Sequence, residues 1–257
     1  PGVAQEREAG GVRREGLEEV LVTAQRREQT LQEVPLALQV VGTDLIADTA
    51  AEDLGDLNGF VPGLLVSSDS PTQPRYQIRG IQTGDFGIGT DPAVGVFIDG
   101  VYASRSGGSL LAFNDVARIE VLKGPQGTLF GRNSAAGAIS IVTRQPADTF
   151  EAWLRLRVGD YSKRRVEGMV NLPIGDSFAL RVNGVFNSSD GWVEDAATGK
   201  DLWPEDNWAG RAALRWDISG DTIATLTWDH DRLDQLARPA IGLIPVTAGV
   251  DTTVPYP

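Results

Sequence analysis

From residue 151 to residue 229 the chain alternates apolar and polar residues with a period of two, and this restricts the fold more than any other feature. Ala152, Leu154, Leu156 and Val158 fall on one side of an extended chain, and Glu151, Trp153, Arg155 and Arg157 on the other. Residues 165–172 set Val166, Gly168, Val170 and Leu172 against Arg165, Glu167, Met169 and Asn171. The division recurs over 178–187, 208–217 and 222–229, so five strands are expected. Their lengths are close to the roughly nine to eleven residues with which a tilted strand crosses an outer membrane. The connections 173–177 and 219–221 are short, whereas Ser188–Asp206 is long and polar. Phe178, Phe186, Trp208, Trp216 and Trp228 fall near strand ends, as in an interfacial girdle. A soluble β-sandwich produces similar alternation.

Composition removes several function classes. The 23 basic and 35 acidic side chains leave a net charge of −12. Such a surface repels phosphate backbones and sets nucleic-acid binding aside. With zero cysteines there is no disulfide framework, thiolate metal site or cysteine nucleophile. No apolar run approaches the roughly 18 residues of a transmembrane helix, so a membrane crossing has to be made by strands.

Residues 1–17 are charged and glycine-dotted, which predicts a disordered arm. Gly2-Val3-Ala4 resembles the small-residue end of a secretory signal, although an arbitrary start explains it equally well. Glu18, Glu19, Val20, Leu21, Val22, Thr23 and Ala24 form a short extended segment between polar stretches. It reads either as an edge strand or as a linear motif that adds to a partner's sheet. From Glu33 the pattern turns globular, with strands expected over Pro35–Val41, Leu64–Ser67, Arg75–Ile81, Val94–Val101, Arg118–Leu122 and Ala138–Thr143. Thr43 is placed to cap a helix over Asp44–Asp48, and Thr49 with Glu52 has capping-box spacing for a second helix to Leu57. The expected fold is therefore an α+β domain, a small mixed sheet with short helices, followed by antiparallel strands.

Three motifs then carry a family likeness. IRGI (Ile78–Ile81), VFIDGVY (Val96–Tyr102) and above all RIEVLKGPQGTLFGRNSAAGAISIVT (Arg118–Thr143) resemble the plug-domain signatures of TonB-dependent outer-membrane receptors. Glu18–Ala24 resembles the TonB box that precedes the plug. The resemblance implies a transmembrane β-barrel of about 22 strands with a plugged lumen. It divides the chain into an arm (1–17), box and linker (18–32), plug (33–145) and the opening of the barrel (146–257). Only about five barrel strands fit before Pro257, so the chain reads as an N-terminal part of a longer receptor without an extra signalling domain.

The resemblance further implies ligand-gated import of a scarce nutrient, most commonly an iron–siderophore complex, with haem, cobalamin, an oligosaccharide or a xenobiotic as alternatives for the same machinery. The TonB C-terminal domain and its inner-membrane energising complex would be partners, outer-membrane lipid the surroundings, with no enzymatic activity and no cofactor. Arg79, Glu120 and Arg132 are expected to hold plug to barrel through charge-assisted hydrogen bonds. Arg155, Arg157, Arg165, Glu167 and Arg181 are available on the wall. Gln82, Asp85, Phe86, Tyr102 and Arg105 are expected to meet ligand in apex loops. Gly124, Gly127 and Gly131 read as turn formers rather than a phosphate loop, having no Gly-Lys-Ser/Thr ending. Asp229, His230 and Asp231 are the one cluster with metal-ligand chemistry, and a solvated strand end is the plainer reading. Two rivals remain: a secreted β-rich hydrolase using His230, and a soluble binding protein.

Overall fold

The computed structural model describes residues 21–22, 29–68, 70, 73–84, 90–103, 115–195 and 198–235. The arm 1–17 and Glu18, Glu19, Val20, Thr23, Ala24, Asp85, Phe86 and Arg105 lie outside them. The first half contains β1 (Leu21–Val22), β2 (Gln29–Thr30), β3 (Leu38–Gly42), α1 (Thr43–Asp48), β4 (Leu64–Ser67), β5 (Arg75–Ile78), β6 (Val94–Ile98), β7 (Val101–Tyr102), β8 (Val116–Lys123), α2 (Gly127–Phe130) and β9 (Gly137–Thr143).

A five-stranded sheet in the order β3-β8-β9-β6-β7 organises this half, with β6 and β9 parallel and the other pairs antiparallel. β8 and β9 are central because their residues are apolar on both faces. On one face Ile119, Val121, Ile139 and Ile141 pack against Val41, Leu54, Leu57, Val61 and Ile78. On the other, Leu122 and Ala138 meet Val22, Val34 and Phe97.

Local chemistry trims the expected elements. β5 stops at Ile78 because Arg79 and Gly80 both take positive φ, 51° and 82°. Asp99 and Gly100 do the same at 48° and 81°, so the expected strand 94–101 folds back as the β6–β7 hairpin. The helix expected behind Thr49 is absent. Thr49 instead closes α1, its hydroxyl donating to the Leu45 carbonyl at 2.7 Å, and Gly55–Leu57 forms only a 3₁₀ turn. Thr43 is the first helical residue and Gly42 the cap, without a side-chain bond.

The second half is a wall of long antiparallel strands: β10 (Glu151–Val158), β11 (Arg164–Ile174), β12 (Phe178–Ser189), the small hairpin β13 (Val193–Glu194) and β14 (Asp201–Leu202), β15 (Glu205–Ser219) and β16 (Thr222–Gln235). The wall order is β10-β11-β12-β15-β16. Its two faces decide between sandwich and barrel. Polar side chains are buried: Arg165, Glu167, Asn171, Arg181, Asn183, Asn207 and Arg211 are all under 9% exposed. Their apolar neighbours point out, with Leu154 at 71% and Val182 at 43%. A water-soluble sandwich buries the opposite set, so this is a wall with hydrocarbon outside and a polar lumen inside.

Register pairs Phe178 with Trp216, ring centroids 5.6 Å apart, and Phe186 with Trp208. The two aromatic rows are eight residues apart along β12, about 26 Å of strand, which fits an apolar band once tilt is allowed for. Among the described residues β10 and β16 have no further strand beside them. Unpaired edges in hydrocarbon cost several kcal/mol per group, so the wall needs more strands than these five.

Candidate functional site

The wall's inner face holds the first domain by charge. Asp115 lies just before β8 with φ 56°, its carboxylate turned to the wall and only 2% exposed. Arg181 of β12 grips it with two bonds, Nε to Oδ2 at 2.5 Å and Nη2 to Oδ1 at 2.8 Å, and reaches Glu151 at 3.0 Å. Asn183, two residues on and therefore on the same face, donates to Asp115 Oδ2 at 3.3 Å. A planar fork on a carboxylate fixes direction as well as distance, so this pair sets the plug's orientation.

Two further contacts repeat the polarity. Asp99, in the β6–β7 turn, accepts the Thr143 N–H at 2.8 Å and hydroxyl at 2.7 Å and is paired with Arg211. Arg211 also bonds Asp229 of β16 at 2.7 Å. Glu52 draws Lys163 to 2.9 Å, with Arg165 at 3.7 Å and Arg157 at 3.9 Å. Within the wall, Glu167 lies 3.1, 3.4 and 3.2 Å from Arg155, Arg157 and Arg165. At each of these three contacts the plug supplies the acid and the wall the base.

Of the residues expected from sequence, Arg157, Arg165 and Arg181 of the wall lie within ion-pair distance of Glu52 or Asp115, and the plug side of these contacts is carried by acids that the sequence reading did not name as anchors. Glu120 is fully buried and its ion pair is with Arg118 of its own strand, at 2.7 Å. Arg79 and Arg132 form no ion pair among the described residues; Arg79 lies beside Lys123, whose ammonium is held below its ordinary range first by burial and then by that guanidinium. The anchoring acids escaped attention because Asp99 and Asp115 take the positive φ of turn positions and Glu52 has capping-box spacing from Thr49, so sequence reading assigns each a backbone role.

The remaining candidates are placed as follows. Gln82 is exposed. Tyr102 accepts a hydrogen bond from Asn133 at 2.8 Å, and its ring, 5.5 Å from that of Phe97, packs in the cluster containing Val22. Tyr102 is half-buried there and also borders the cavity between the β6–β7 hairpin and the wall. Leu21 and Val22 pair with Thr30 and Gln29, and Val22 is fully buried. His230 lies on the outward face between Trp208 and Trp228, centroids 5.0 and 5.8 Å away, while Asp229 faces inward to Arg211. Alternation thus separates the imidazole from its flanking carboxylates, and the described residues contain no group of three metal-ligating side chains. Gly124 and Gly131 have φ of 110° and 77°, as their turns require.

Asp53 supplies a measurable property of the plug. Burial first, then the Asp56 carboxylate, pushes its carboxyl up to about 6 from its ordinary 3.8. A carboxyl raised in the folded state is protonated at low pH without cost, and its charge becomes a burden as pH climbs from about 4 to about 6. Asp53→Asn keeps the oxygen that accepts the Gly55 N–H at 2.5 Å and removes the charge. The expected result is a plug about 1–2 kcal/mol more stable above pH 6, with a flatter melting-temperature profile between pH 4 and 6. An unchanged profile would show that Asp53 is solvated.

Comparisons with known proteins agree with this geometry. The profile of the TonB-dependent receptor plug domain matches residues 30–138. The chain is 27% identical over 218 residues to the vitamin B12 transporter BtuB of Vibrio vulnificus, covering 77% of the chain and 34% of that protein. It is 31% identical over 165 residues to the pesticin receptor of Yersinia pestis, covering 63% of the chain and 24% of the relative. The crystal structure of the ferric yersiniabactin uptake receptor FyuA from Yersinia pestis superposes with a TM-score of 0.69 at 28% identity, over 76% of this chain and 31% of that one. The ferripyoverdine receptor of Pseudomonas aeruginosa, at 21% identity and TM-score 0.69, shares the fold over 82% of this chain and 27% of that one. The chain spans between a quarter and a third of the length of these relatives. Residues 30–138 thus match the plug domain of TonB-dependent receptors, and that domain sits here on strands that are polar inside and apolar outside, docked by buried charge pairs, so the chain is similar to the TonB-dependent receptors over its plug and adjoining strands.

Proposed function

We propose that this chain is the plug and first wall segment of an outer-membrane importer that takes up a scarce nutrient when ligand binding rearranges the plug. The observation that carries this reading is the plug docked in a polar lumen whose outer surface is apolar. An iron–siderophore complex is the leading substrate, in keeping with the ferripyoverdine and ferric enterobactin receptors among the relatives. The vitamin B12 transporter favours cobalamin as the second reading. Uptake of labelled ferric siderophore and labelled cobalamin, each in a strain lacking and then regaining the receptor, tests both. Siderophore uptake restored by the receptor supports the first, and cobalamin uptake alone replaces it with the second.

TonB would engage Glu18–Ala24 as an added strand in the periplasm. The extended backbone of Leu21–Val22, paired within the chain with Gln29–Thr30, supports this reading. Val20→Pro deletes a ladder donor, so TonB C-terminal domain capture is expected to fall at least about tenfold with uptake lost. Undiminished capture would exclude strand addition there. Val22→Pro tests the same donor loss but also disturbs the buried cluster, so Val20→Pro is the cleaner variant.

A further inference from the structure

Between the β6–β7 hairpin and the inner face of β12, β15 and β16 lies a cavity of about 600 Å³, lined by Asp99 and Thr143 on the plug side and by Asn183, Arg211, Thr227 and Asp229 on the wall. Its origin is local. Ala209 precedes Arg211 on the inner face of β15, so the wall steps back beside that side chain. Two buried polar atoms there have no hydrogen-bond partner among the described residues: Nε of Arg211, a donor, and Oδ1 of Asn183, an acceptor. The Asn183 amide cannot be turned round, because its nitrogen faces the Asp115 carboxylate, which only accepts. Both residues are more than nine-tenths buried.

A donor and an acceptor left open beside one polar space call for an occupant that supplies both, and water does. The space is many times larger than a single water needs. The charge is uneven: Asp99, Asp229 and Asp231 border the cavity against Arg211. Hydrated cations are attracted there and anions turned away.

We propose that this seam is a water-filled site for small hydrated cations along the plug's flank, closed by Arg211 where it bridges Asp99 of the plug and Asp229 of the wall. The inference rests on the reading of the five strands as a membrane wall, and one labelling experiment tests the two separately. The chain has no cysteine, so introduced thiols report without background from it. Thr227→Cys faces the seam, Leu226→Cys the outer surface, and Ala179→Cys is buried at 1% exposure away from the seam. In the full-length receptor in outer-membrane vesicles, a cationic methanethiosulfonate is expected to modify Cys at 227 roughly tenfold faster than an anionic one of equal size. Positions 226 and 179 should resist both reagents. Rapid hydrophilic labelling at 226 would overturn the membrane wall. No labelling at 227, or equal or reversed rates, would overturn the cation seam alone. Adding Arg211→Ala should raise the rate at 227 several-fold, and an unchanged rate would remove Arg211 as the closing group.

Discussion

Replacing Arg181 with Ala is expected to cost about 3–5 kcal/mol and to loosen the plug from the wall, because it strands the Asp115 carboxylate in a site where only 2% of it meets water. The loss comes mainly from the buried charge left behind, so it should shrink when that charge is also removed. The pair Arg181→Met with Asp115→Leu is therefore expected to lie closer to the native protein than Arg181→Ala does, despite carrying one more substitution. Urea unfolding of the plug in detergent-solubilised receptor, read by protease resistance, measures all three. A double variant as unstable as the sum of its singles would mean that Arg181 acts through Glu151, which it meets at 3.0 Å, rather than through Asp115.

The next residue along should respond in the opposite sense. Val182 lies on the outer face, four residues from each of Phe178 and Phe186 and so midway between the two aromatic rows. Val182→Arg places a charge near the centre of the apolar band, with an expected cost of about 2–4 kcal/mol in lipid. In a soluble sandwich a residue 43% exposed would accept the same change within about half a kcal/mol. Unfolding of receptor reconstituted in phosphatidylcholine vesicles separates the two, and a near-neutral result would sink the membrane wall. Arg181 and Val182 are adjacent in sequence, yet one is ruined by losing a charge and the other by gaining one.

That contrast shows how far the sequence could be read. The period of two over 151–229 was plain, and the wall strands follow it, extended at most ends by a few residues where ladder pairing continues past the pattern. Which face was buried was not contained in the period itself, since lipid and lumen exchange the roles that core and water play in a sandwich. The wall cations could be named because an arginine on an alternating strand has one direction to point. The plug acids could not, because Asp99, Asp115 and Glu52 are brought to the wall by three separate irregular segments whose aim depends on tertiary packing. Thr49 misled for a related reason. A Thr-x-x-Glu spacing marks the beginning of a helix, but here the threonine closes the preceding one and Glu52 is left to meet Lys163. Tyr102 makes an aromatic contact that sequence reading did not name, with Phe97, five positions earlier and across a two-residue turn.

Asn171 joins the two halves in a way that affects timing. Its amide donates to the carbonyls of Ala147 and Thr149, both at 2.7 Å, and accepts the Ala147 N–H at 3.0 Å, so one side chain holds the connection between β9 and β10. That connection is the seven residues 144–150, about 25 Å when fully extended. If the import proposed above displaces the plug, this connection keeps it leashed, at a millimolar-scale local concentration with respect to its own seat. Its return is then a unimolecular event that needs no encounter, and the reset can be fast even when the charge pairs holding the seated plug are individually slow to part.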